Sequence, residues 1–218
     1  MTTDPVNQRQ RSWRWQTPSP RHKLVPGLAF CCVVLLASCG DTRSVAFGPG
    51  VMAAAPPEQL SISAEPLILG DVALIPRAEF AVTAKVLAKR RYRWDEMADA
   101  ARWDFALGWG MLSDEAVLDG TKVLQGDRLM YWHLYGKPLD LQTVERSSAN
   151  VHLIGETPDI EKQFAAVPRG AIVTMQGRLV DIRFADNRVI PTSLTRDDTG
   201  VGACEILLVS SIQWRRPV

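Results

Sequence analysis

Four residues of this 218-residue chain have the types needed for covalent chemistry: Cys204, His152, Asn150 and Asp198. A thiol nucleophile needs an adjacent imidazole, and that imidazole needs a group to hold it. In this scheme Cys204 is the nucleophile, His152 the base, and Asn150 or Asp198 the orienting group. Nothing local brings them together. Asn150 and His152 lie two apart, which puts them on one face of a strand, and a polar pair that stabilises a loop is the competing account. Arg196, Asp197 and Asp198 stand before the glycines of "TGVG". That stretch suits a salt-bridged turn, or a carboxylate for hydrolysis. No Cys or His pair has ligand spacing, so neither a metal site nor a cofactor is expected.

A second group is aromatic. Trp94, Trp103, Phe105, Trp109, Tyr131, Trp132 and Tyr135 crowd into one segment. Such side chains fill a core or line a cleft, having large apolar faces and polar tips. If they form a ligand surface, it is built around Trp103, Trp109 and Trp132, with Asn150 and His152 orienting the ligand and Arg196 among the contacts. The glycines of "ALGWGML" allow close backbone approach but do not make a G-x-G-x-x-G phosphate loop.

The elements that must position these groups are mostly strands. In "FAVTAKVLAKRRYRW", Phe80, Val82, Ala84, Val86, Ala88, Tyr92 and Trp94 alternate with Thr83, Lys85, Lys89, Arg91 and Arg93. That predicts a long strand with a buried face and a basic face, and Arg90 breaks the alternation as a bulge would. The basic face suits a solvated sheet surface or a contact with anions or lipid headgroups. "ETPDIEKQFAAVPRG" predicts a helix capped by Thr157, with Pro158 in its first turn and Pro168 and Gly170 beyond its end. A shorter helix is expected from Ser113. Further strands are expected in "AIVTMQGRLVDIRF", near Val189 after an "ADN" turn, and in "GACEILLVSSIQW". The last of these would put Cys204 with Ile206, Leu208 and Ile212 on one buried face, leaving the thiol inert. The expected fold class is α+β and β-rich, compatible with a small, partly open barrel of the OB type with one or two helices.

At the N-terminus, five basic residues precede an apolar run of 16 residues from Leu24 to Cys39, and Ala37 and Ser38 stand just before the cysteine. This is the order of a secretory signal, and the run is too short for a span of about 20 apolar residues. Leu36-Ala37-Ser38-Cys39 resembles the bacterial lipobox, which implies acylation of Cys39 after cleavage. The expected organisation is a signal peptide over 1–38, a lipidated N-terminus with a flexible tether over 39–66, and a single globular domain over 67–218. The 20 residues before Arg21 are long for such a leader, which a downstream start would explain. Removing the leader takes Lys plus Arg from 25 to 20 and Asp plus Glu from 24 to 23, so the net charge falls from +1 to about −3. Nucleic acid is therefore not an expected partner. Cys31 and Cys32 leave with the leader, Cys39 carries the lipid, and Cys204 remains without a disulfide partner.

"ALGWGMLSD", "SSANVH" and "TSLTRDDTGVGACE", in that order, resemble strings of a group of uncharacterised bacterial extracytoplasmic proteins and lipoproteins. The resemblance covers roughly residues 80 to 218 and departs at Leu112 and Gly155. It implies an extracytoplasmic domain and assigns no catalytic residue. The expectation is a membrane-anchored lipoprotein that binds an envelope protein or small ligand, placed by Gly40 on the periplasmic side of an outer membrane where the envelope has two membranes. The alternative is a cell-envelope hydrolase that uses His152 with Cys204 or Asp198. A thiol or carboxylate within reach of His152 in an open cleft favours the hydrolase, and a buried Cys204 favours binding.

Overall fold

The period-two run after Phe80 belongs to a longer strand than its own alternation marks, because apolar residues continue upstream to Val72. In the computed structural model, which describes residues 44–135, 139–196, 198, 200 and 202–217, this strand, β3, runs Val72–Arg91. Before it lie β1 (Glu58–Ser61) and β2 (Leu67–Leu69). After it come β4 (Trp103–Gly108), α1 (Glu115–Leu118), β5 (Thr121–Gly126), β6 (Leu129–Leu134), α2 (Leu141–Arg146) and β7 (Ser148–Gly155). The chain ends through α3 (Pro158–Ala166), β8 (Ile172–Arg183), β9 (Val189–Ile190) and β10 (Glu205–Arg215).

Five strands run in the order β3-β4-β7-β10-β8, and β3 also pairs with β8, which closes the ring. Closure is possible because β3 is 20 residues long: residues 73–85 bond to β8 and residues 85–91 bond to β4. The β7–β10 pairing is parallel and needs a crossover, which α3 begins. Thr157 caps α3 by accepting the Ile160 amide, as expected. The result is a β-rich α+β barrel of the OB type. Its interior holds Phe80, Val82, Phe105, Leu107, Val151, Leu153, Leu179 and Leu207, and α3 plugs one end with Ile160, Phe164 and Val167. Gly155 lets α3 start close to β7, since a Cβ there would lie 2.7 Å from the Glu161 amide nitrogen. All these elements lie in one compact unit with its own core. That is the condition for folding alone.

Two smaller apolar clusters sit outside the barrel. One packs Met97 and Ala101 on Ile154, Ile206 and Leu208. The other packs the β5–β6 hairpin on Ala88 and Ala106.

Several expectations are corrected here. β3 has irregularities between Pro76 and Ala78 and between Val86 and Ala88, and none at Arg90. The shift after Val86 reverses which side the later strand residues face, and the strand ends at Arg91, so Trp94 lies beyond it and is exposed instead of continuing the buried face. The basic side is not simply solvated: Lys85 is buried against Glu115, and Lys89 Nζ donates to the carbonyls of Phe164, Ala165 and Val167 at the end of α3. Residues 45–61 are not the free tether expected over 39–66. Val45 N donates to Arg169 O, Ser113 Oγ accepts from Met52 N and Ala53 N, and β1 pairs with β3. Backbone polar groups that find such partners are fixed to the domain. In β10, a bulge between Val209 and Ser211 splits the expected face: Ile212 points into the barrel while Ile206 and Leu208 point outward. Cys204 precedes β10 and is half-buried. Cys39 and the leader lie outside the described residues.

Candidate functional site

The outward side of β4 and β7 is apolar at Ala106 and Ile154, with three polar residues between. Asp104 pairs across the ladder with His152, and Ala106 with Asn150. Ile206 of β10 pairs with His152, so Cys204, two residues earlier, comes beside Asn150. Alternation of side chains puts Asp104, Asn150, His152 and Cys204 on one face.

The β5–β6 hairpin folds over them. Its two-residue turn, Asp127-Arg128, has φ of 50° and 64°, the type I′ geometry that favours Asn and Gly. An arginine held there stores strain that its contacts must offset. Arg128 Nη1 donates to Asp104 Oδ1 at 2.7 Å and to Ala101 O at 2.9 Å, Nη2 and Nε hold Asp95 at 2.7 and 3.2 Å, and the guanidinium lies 4.0 Å from the Tyr92 ring centre. Its backbone carbonyl accepts from Asn150 Nδ2 at 2.9 Å and from Cys204 Sγ at 3.5 Å. Gln125 Nε2 donates to Asn150 Oδ1 at 2.7 Å.

His152 shares this face with an acid and a thiol. Nδ1 is 2.9 Å from Oδ1 of Asp104, a carboxylate with no exposed surface. Burial alone would lower the imidazole pKa, but Asp104 and Cys204 outweigh it and hold it up at about 9. The ring is therefore an imidazolium at neutral pH, beside sulfur.

Cys204 and Asn150 open on a cleft of about 240 Å³ walled by Met130, Tyr131, Trp132 and Ala203, with Glu145 and Asp198 among its polar lining. Among the described residues, no acceptor meets the buried Trp132 Nε1. Of the expected groups, Cys204, His152 and Asn150 do converge. Asp198 lines the cleft but accepts from Ser193 Oγ at 2.7 Å, and the carboxylate on His152 is Asp104. The aromatic surface is separated: Trp132 lines the cleft, Trp109 is in the barrel core, and Trp103 packs against that core with Lys89 over its ring. Arg196 pairs with the buried Glu205, away from the cleft lining. Asp104 and Arg128 are the residues that sequence reasoning missed. The signal for Asp104 was a lone acid in "WDFALG", and for Arg128 an arginine in a "GDR" hairpin turn.

Two of the strings behind the family resemblance meet here, "SSANVH" as β7 and "TSLTRDDTGVGACE" through Asp198 and Cys204, while Ser113 of the third holds the N-terminal segment. Comparison with family models, with curated proteins and with solved structures finds no match.

Proposed function

We propose that the domain is a thiol-dependent hydrolase, with Cys204 as nucleophile, His152 as its acid and base, and Asp104 as the carboxylate that orients the ring. This is the alternative of the sequence reading, and it displaces simple ligand binding. The observation that carries it is a half-buried thiol on a cleft wall, on the strand face it shares with a buried histidine whose Nδ1 lies 2.9 Å from a buried acid. In such a site the sulfur attacks a carbonyl carbon, and the imidazolium protonates the leaving group. The imidazole then takes a proton from the water that hydrolyses the thioester, which restores the starting state. The volume and aromatic wall favour a small acyl group.

The test is formation of a covalent acyl-enzyme. Activated esters and thioesters offered to the protein should leave a mass adduct on Cys204 that turns over in the wild type and accumulates in His152→Gln. Iodoacetamide should label the wild type at least tenfold faster than His152→Gln. No adduct, together with equal labelling rates, would falsify the assignment.

The basic-apolar-small-cysteine order further supports a lipid anchor at Cys39 and a place on the outer face of the inner membrane or the periplasmic face of an outer membrane. Palmitate should label the wild type and not Cys39→Ser. Equal incorporation would remove the anchor from the proposal.

A further inference from the structure

The end of β3 carries a feature the cleft does not use. After Lys89 the chain reads Arg90-Arg91-Tyr92-Arg93-Trp94, and Trp94 is 94% exposed. Arg90, Arg91 and Arg93 are exposed, as is Arg102 on the returning segment. The first three, with Tyr92 and Trp94, wall an open cleft of about 530 Å³. Of the acids nearby, Asp95 is matched by Arg128 and Glu96 by Arg188, and Asp99 lines a separate cleft, which leaves Asp127 on this one and Glu161, which senses Arg102 and Arg91. The patch therefore has an excess of positive charge around one fully presented indole. Arg90 spends one nitrogen on Gln125 O at 2.6 Å and lies 5.3 Å from the Tyr92 ring centre, which leaves the rest of its fork for a ligand.

We infer that this end of the barrel docks on a bilayer bearing anionic phospholipids, with Trp94 at the headgroup level and Arg90, Arg91 and Arg93 on the phosphates. The path of the N-terminal chain supports that occupant. Val45 N donates to Arg169 O, and Arg169 Nε donates to Leu87 O, each at 2.8 Å. From Leu87 to Arg91 is four strand residues, about 13 Å. From Cys39 to Val45 is six residues, at most about 20 Å of chain. A lipid on Cys39 would thus hold the same end of the domain against the membrane. This orientation argument rests on the proposed anchor, whereas the docking test does not.

Residues 40–218 without Cys39 would be sedimented with phosphatidylcholine vesicles, with and without phosphatidylglycerol. Salt-sensitive binding is expected only when the anionic lipid is present. Arg90→Gln, Arg91→Gln and Arg93→Gln should each weaken it about fivefold, with unchanged melting temperatures. Brominated lipid should quench tryptophan fluorescence in the wild type, and Trp94→Phe should remove that quenching. The inference fails if the protein ignores anionic vesicles, binds neutral ones equally, or binds unchanged after all three substitutions. It also fails if the same arginines bind oligothymidine more tightly than vesicles, the outcome for a single-strand nucleic-acid surface. The palmitate test at Cys39 fails or succeeds separately.

Discussion

The two faces of β4 and β7 are built on opposite principles. Inward, Phe105, Leu107, Val151 and Leu153 meet in a dry interior that any well-packed apolar set could fill. Outward, one residue along, Asp104, Asn150 and His152 are nearly as buried, but each depends on named partners from the hairpin and from the segment before β10. The interior is stable because water is absent. The outer face is stable only while its charges stay matched, since a buried ion without its partner is costly. The proposed thiol site, with its imidazolium and buried acid, lies on the second kind of surface.

Substitutions on each face can break this contrast. Phe105→Ala, which removes a ring packed edge-on against Phe164 at 6.1 Å, should cost about 3–5 kcal/mol. The thiol labelling rate per folded molecule should stay the same. Asp104→Asn should cost a similar amount, roughly 3–5 kcal/mol, by leaving Arg128 and His152 without their acid. Here the fast labelling of Cys204 should vanish as well. Equal chemical behaviour of the two variants would show that the faces do not differ in the way described.

A smaller effect sharpens the contrast through pH. The His152 pKa is raised from the ordinary 6.5 to about 9 in the folded chain. Its stabilising contribution is therefore complete below pH 6.5 and is lost as pH rises through 9, a change of roughly 3 kcal/mol. Urea unfolding at pH 6 and pH 10 should show that loss in the wild type and not in His152→Gln. Phe105→Ala should keep the pH dependence in full.

Smallest in stability is Cys204→Ser, expected to shift unfolding by less than about 1 kcal/mol, since the hydrogen bonds of the half-buried sulfur to Arg128 and Asn150 are long, at 3.5 and 3.7 Å. It should nevertheless abolish turnover. Residual turnover in Cys204→Ser would move the chemistry elsewhere, with Asp198 the first place to look.

Much of the frame was legible in the chain. Thr157 and Pro158 start α3, the apolar runs at 172–183 and 205–215 are strands, and a β-rich α+β class follows from their number. These are local properties: a cap, a proline and a two-residue period act within a few residues of themselves. Where the reading failed, the cause was usually one extra residue. The bulges after Val86 and after Val209 reverse the alternation, so Ala88 faces outward and Ile212 leaves the side of Ile206.

By itself the sequence determined which residues could do chemistry, Cys204 and His152 foremost, and the signal order that ends in Cys39. Only the tertiary structure decided that His152 is held by Asp104 rather than by Asn150 or Asp198, and that Arg128 closes the network from a hairpin turn. The physical reason is register. His152 and Asp104 lie 48 positions apart and meet because β4 and β7 pair in one particular alignment. A shift of a single residue would turn both side chains into the apolar interior. Such an alignment is set by the closing of the whole barrel, which no short stretch of sequence specifies.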